Sequence, residues 1–332
     1  MNHPSLDLLK MSCPEGARLL LLRQLDDAVA AARRLKHPDD AEALHDFRVA
    51  LRRLGTALRF YKTEAPGIGG KRRRQLRGYG KVTNAGRDAE VQLDWLTGQQ
   101  PGLTPRQRIG CQWLMRRLAK QQGEAGRAAR TAMARRFIQL SVKLRRRLEA
   151  VAVVPTPDGA AAAGFAPATA ALAHTAAQAL LKALAKVDHA AGERIIHRAR
   201  IRAKRLRYLL DPLRPELAPV GPVISQLKKM QDELGELHDL QLLDAHLLAA
   251  LKDAALERSH ALYELSAREP ADAAALRRLR SRNEQPGLLE LARRVRQRQA
   301  ELFTLISAEA GKAERESLRE QLAVISAALA SN

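Results

Sequence analysis

The sequence predicts an all-α protein, and three observations carry that reading. Apolar residues are plentiful at 46%, but Ala and Leu supply most of them, and aromatics amount to only 3%. Runs of β-branched residues are scarce, so local propensity favours helix over strand along the whole chain. Charged residues, at 28%, alternate with the apolar ones at the helical period of three and four.

Taken in order, that periodicity places helices near 16–36, 39–63, 70–99, 104–122 and 124–152. Residues 151–170, VAVVPTPDGAAAAGFAPATA, then break the pattern with three prolines, two glycines and an Ala run. Such composition reads as a connection between two halves. Beyond it, helices are expected near 168–188, 190–212, 217–252, 254–266, 270–281 and 286–329, the last one interrupted. The expected organisation is a helical bundle over 1–152, a linker over 153–167 and a second helical bundle over 168–332. With 332 residues, either half is long enough to bury a core.

The chain carries 57 Lys and Arg against 36 Asp and Glu, a formal charge of +21, which attracts anions. Residues 1–152 hold a surplus of 17 and residues 153–332 a surplus of 4, so the charge is concentrated in the first half. Cys13 and Cys111 lie far apart, outside any CxxC or Cys/His cluster, and support neither a disulfide framework nor a zinc site. The N-terminal residues show no signal-peptide pattern, and no apolar run approaches the roughly 18 residues of a membrane span. A cytoplasmic protein with no membrane partner and no cofactor is expected.

An internal repeat is the most informative motif, because it tests which residue types recur. Residues 43–54, ALHDFRVALRRL, align with residues 195–206, IIHRARIRAKRL, keeping His, Arg, two adjacent basic residues and a Leu at one spacing. Residues 76–81, LRGYGK, then align with residues 227–232, LKKMQD, and Arg87-Asp88 with His238-Asp239. At 100° per residue His45, Arg48, Arg52 and Arg59 fall within about 60° of one another, beside an apolar face of Leu44, Phe47, Leu51, Leu54 and Leu58. His197, Arg200, Lys204 and Arg207 form the second stripe, beside Ile196, Ala199, Ala203, Leu206 and Leu210. Two such stripes facing each other would line a basic groove.

The next helix of each half adds Arg74, Arg77 and Lys81, ranked above Arg72 and Arg73 for their shared face, and in the second copy Lys228 and Lys229. Arg145–Arg147, Arg277, Arg278, Arg280 and the arginines at 293, 294, 296 and 298 would widen the basic surface. Rows of guanidinium and ammonium groups without base-reading pockets suit inorganic polyphosphate, a long polyanion. His45 and His197 are either packed, hydrogen-bonded residues or direct contacts to a phosphate oxygen that strengthen on protonation.

The motif His-x-x-Arg-[Val/Ile]-x-x-[Arg/Lys]-Arg-Leu occurs twice, in residues 45–61 and 197–210, each time followed by a Leu-rich helix, in residues 82–96 and 234–247. In this the chain resembles the CHAD family, the conserved-histidine α-helical domains. The resemblance implies two four-helix-bundle-like halves related by pseudo-twofold symmetry around a basic channel that binds polyphosphate, and targeting to polyphosphate granules. By position, His45, Arg48, Arg52, Arg53, His197, Arg200, Lys204 and Arg205 would line or support that channel. One departure is Gly55, which stands where the second copy has Arg207; Arg59 is the candidate substitute.

Two rival readings are weaker. A metal-dependent phosphohydrolase built on His197, His238-Asp239 and Asp244 conflicts with the repeat, since His238 answers to Arg87 and Asp46 to Arg198. No enzyme activity is expected. Nucleic acid would bind any basic groove weakly and non-specifically through counterion release. Eleven aromatics, several in expected core positions, supply few platforms for unstacked bases.

Overall fold

A computed structural model describes residues 7–37, 40, 42–124, 127–150, 164–187, 193–267, 273–281 and 283–331, with the side chains of 81–87, 121–124, 127–130, 193 and 280 set aside. The described residues are helical almost throughout, and the protein is all-α. The helices are α1 (Cys13–Arg34), α2 (Ala43–Phe60), α3 (Gly70–Gln99), α4 (Pro105–Glu124), α5 (Arg127–Glu149), α6 (Phe165–Leu184), α7 (Glu193–Leu210), α8 (Val220–Ser266), α9 (Ala273–Ser281), α10 (Gln285–Glu309) and α11 (Lys312–Ala330).

Two differences from the expected elements have simple causes. Residues 217–266 contain no Gly or Pro after Pro222 except Gly235, and Ala250 and Ala254 are both buried, so one helix continues where two were read. The interruption expected within 286–329 falls at Ala310-Gly311, where Gly311 caps α11 in extended backbone. Most of the segment expected as a linker lies outside the described residues, but Gly164 through Pro167 belong to the start of α6.

The chain forms two compact units. The first comprises Met1–Asn84, Arg127–Leu234 and Ile306–Asn332, the second Ala85–Gly126 and Gly235–Leu305. Each unit therefore draws residues from both sides of the Pro- and Gly-rich segment.

In the first unit α1 packs on α2, α5 and α6, α6 packs on α7 and α11, and α2 packs on α7. Amphipathic spacing dictates which faces meet: Phe47, Leu51, Leu54 and Leu58 of α2 enter a core with Leu21, Leu25 and Ala28 of α1 and Phe137, Leu140 and Leu144 of α5. Phe137 receives Phe47 edge-on at 5.0 Å and Tyr79 edge-on at 5.7 Å, which fixes α3 against the same core. Tyr61, just past α2, stacks on Phe165 at 5.4 Å and shares a 2.8 Å hydrogen bond with Thr169. Gly16 lets α1 approach that ring closely, since a Cβ there would lie 2.6 Å from it.

In the second unit Gly110 of α4 and Gly287 of α10 cross with their Cα atoms in near contact, and a side chain on either would strike backbone. Arg117 clamps α4 to α8 through Asp253 at 2.7 Å and Glu257 at 2.5 Å. His246 and Gln92 share a hydrogen bond of 2.8 Å between α8 and the end of α3. No helix among the described residues is long and apolar enough to cross a membrane.

Candidate functional site

Both copies of the repeated motif are helical, the first on α2 and α3, the second on α7 and α8. Burial of the apolar face of α2 turns its other flank outward, and α3 and α7 rise beside it. Between them lies a cavity of about 580 Å³. Arg48, Arg52, Arg59 and Lys62 come to it from α2 and the residues just after it, Arg73 and Arg77 from α3, and Arg205 from α7. Leu51, Leu58, Leu76 and Ile201 form its floor, and no described lining residue is acidic. All of these residues belong to the first unit, and they come from both sequence halves.

Seven cations around one cavity repel one another. Arg205 shows it most directly, because burial, the charge of Arg59 and the charge of Arg202 all push its guanidinium below the usual range. Two neighbouring contacts hold the frame: Arg53 pairs with Asp211 at 2.9 Å, and Arg52 Nε reaches the Tyr208 hydroxyl at 3.5 Å, so α2 is pinned to α7 and the turn that follows it.

The cavity is open because two small residues border it. A Cβ built on Gly55 or on Gly80 meets no atom within 4 Å. Their counterparts in the repeat are Arg207 and Gln231, whose side chains hydrogen-bond to each other at 3.0 Å. The Arg207 guanidinium also sits 4.8 Å over the Tyr208 ring.

Of the residues singled out in the sequence, Arg48, Arg52, Arg59, Arg77 and Arg205 are brought together here. Arg53 supports from behind through Asp211. Arg73 borders the cavity whereas Arg74, ranked above it, is exposed and does not. His45 and His197 are both exposed and are not among the lining residues, nor are Arg200 and Lys204, which share another face of α7. Lys228 is exposed on α8. Lys229 instead meets Glu309 at 2.6 Å, with Glu233 at 3.9 Å. The side chain of Lys81 lies outside the described residues. Lys62 was not foreseen, since it stands beyond the end of α2, where helical spacing gives no direction.

Several arginines of the outer clusters are held by partners of their own and do not line this cavity. Arg145 pairs with Asp26, Arg147 donates to the Gly67 carbonyl at 2.7 Å, Arg293 and Arg294 both hold Glu290, and Arg298 holds Glu236 at 2.7 Å. The two arginines on Glu290 keep its carboxyl well down, at about 2. Among the described residues no group of three His, Cys, Asp or Glu side chains is arranged to hold a metal ion. Cys13 and Cys111 are free thiols, and burial pushes Cys13 up to about 11.

Comparison with known proteins gives a consistent result. Residues 19–248 match the family model described as the CHAD domain. Among solved structures, the CHAD domain from the plant Ricinus communis superposes with a TM-score of 0.59 at 23% identity, covering 84% of this chain and 94% of that one. PptA from Streptomyces chartreusis superposes with a TM-score of 0.52 at 19% identity, over 86% of this chain and 99% of that one. At these identities the likeness is one of fold. No curated protein matches the chain.

Proposed function

This chain belongs to the CHAD family, and from that premise we propose that it binds inorganic polyphosphate, without catalysis, in the basic cavity between α2, α3 and α7. One observation carries the reading: seven cations converge on about 580 Å³ of space with no carboxylate among the described lining residues. A chain of phosphates, each with a negative charge and acceptor oxygens, relieves the repulsion among those groups and accepts their hydrogen bonds. The absence of aromatic side chains among the described lining residues favours a ligand without bases over nucleic acid. We read the two motif copies as duplicated halves, 1–152 and 168–332, each giving residues to one site, and polyphosphate granules as the place where such a site would act.

The test is binding to polyphosphates of graded length across a salt series. Affinity is expected to rise with chain length and to fall steeply with salt. Arg52→Ala with Arg205→Ala should weaken it at least tenfold, whereas Lys228→Ala, outside the cavity, should leave it within about twofold. Displacement of bound polyphosphate by duplex DNA at equal phosphate concentration would overturn the reading in favour of a nucleic-acid binder, and phosphate release by the pure protein would overturn the non-catalytic part.

A further inference from the structure

A second cleft, of about 380 Å³, opens between α3 and α5, with Lys71, Arg72, Arg136 and Lys143 around it together with Tyr79 and two glutamines. It lies on a different side of α3 from the cavity described above. Arg73, Leu76, Arg77 and Gly80 face that cavity, and Lys71, Arg72, Gln75 and Tyr79 face this cleft, about 135° away around the helix. Neither α3 nor α5 is free to drift here, because the Tyr79 and Phe137 rings meet edge-on at 5.7 Å and anchor the two helices to each other.

What distinguishes this cleft is the state of its charges. Apart from the first cavity, basic residues beside clefts carry carboxylate partners: Lys229 has Glu309, and Arg294 and Arg298 have Glu290 and Glu236. Around the α3–α5 cleft no described lining residue is acidic, and none of its four cations forms an ion pair with a described residue. Four uncompensated cations on two fixed helices form a receptor for a multiply charged anion, with the glutamine amides as further donors.

We propose that the α3–α5 cleft is a second phosphate-binding subsite, taking a stretch of polyphosphate that has passed over the N-terminal turn of α3 from the first cavity. This rests on the reading of the first cavity given above. The path predicts a preference for long chains, since a bound chain must cross the width of a helix, roughly 10–12 Å, to occupy both places. The first turn of α3 carries Lys71, Arg72, Arg73 and Arg74 along that path.

Calorimetric titration with tripolyphosphate and with long-chain polyphosphate tests it. Tripolyphosphate should bind the unaltered protein with two equivalents and the Arg72→Ala/Arg136→Ala variant with one. The same variant should lose at least tenfold in affinity for the long chain, with a shallower salt dependence, while its thermal midpoint stays within about two degrees. Arg136 is exposed and Arg72 half-buried, and Arg136→Glu alone, expected to have an effect at least as large, gives a second variant should the double one be poorly folded. A single tripolyphosphate equivalent in the unaltered protein, or long-chain affinity unchanged in both variants, overturns the proposal alone. Unchanged binding of both probes by Arg52→Ala/Arg205→Ala removes the first cavity as a site, and the bridging path falls with it.

Discussion

Replacing Gly55 by Arg and Gly80 by Gln gives the first cavity the side chains that stand at the matching positions of the second half, Arg207 and Gln231. Both glycines lie within helices, and a Cβ on either meets nothing within 4 Å. Removing a helical glycine should therefore gain stability, since Arg and Gln are good helix formers and Gly costs about 0.8–1 kcal/mol relative to Ala. Together the two substitutions should stabilise the protein by about 1–2 kcal/mol, or on the order of 3–6 °C in Tm for a unit of this size. Binding should move the other way. The pair would occupy the cavity, bonded to each other as Arg207 and Gln231 are at 3.0 Å, and polyphosphate affinity should drop at least tenfold, about 1.4 kcal/mol. The added guanidinium sharpens the test, because attraction by charge alone would make the variant bind more tightly. Thermal unfolding without ligand and calorimetric titration with long-chain polyphosphate at two salt concentrations measure both effects. Equal or tighter binding by the double variant would refute the reasoning, and Gly55→Ala/Gly80→Ala should gain stability while holding affinity within about twofold.

Three further outcomes are expected. Tyr61→Phe strands the buried Thr169 hydroxyl and should cost about 1–3 kcal/mol in denaturant unfolding, with Tyr61→Phe/Thr169→Val recovering part of the loss. Gly16→Ala puts a methyl 2.6 Å from the Phe165 ring and should destabilise by about 1–3 kcal/mol, and Phe165→Leu should reduce that penalty. Burial and then the neighbouring Glu309 raise Glu233 to about 7, against the opposing charge of Lys229. The folded state then holds this proton while the unfolded state has released it, so stability should fall as pH rises from about 4.5 to about 7. Glu233→Gln should flatten that part of the profile of Tm against pH, and an unaltered slope would show that the pair does not titrate there.

The helices were legible because each carries its own apolar period, and 70–99 was bounded correctly from sequence. Arg48, Arg52 and Arg59 were legible for the same reason: once Phe47, Leu51, Leu54 and Leu58 are buried, the flank they leave outward is determined. Arg73 and Arg74 differ by 100° on one helix, and which of them meets the cavity depends on how α3 is rotated, which its own sequence of four consecutive basic residues does not decide. Lys229 read as an open cation because Glu309, which neutralises it, stands on α10, far along the chain. The same holds for Arg298 and Glu236. Charge is visible in a sequence, but pairing between distant residues is a property of the fold. The repeat exposed the Gly55 and Arg207 difference, yet only the bond between Arg207 and Gln231 explains why Gly80 matters as well.

If the proposed cavity takes polyphosphate, the half-buried Arg205, crowded by Arg59 and Arg202, would tie the protein's own folding equilibrium to the phosphate around it. In the absence of anion the native state carries an electrostatic load that the unfolded chain, with its arginines dispersed in water, does not. A ligand that binds only the native state at a hundredfold above Kd adds about 2.7 kcal/mol, comparable to the effect of several surface substitutions. The melting temperature would thus serve as a label-free gauge of polyphosphate, and the amount of folded protein would rise and fall with the size of the phosphate store.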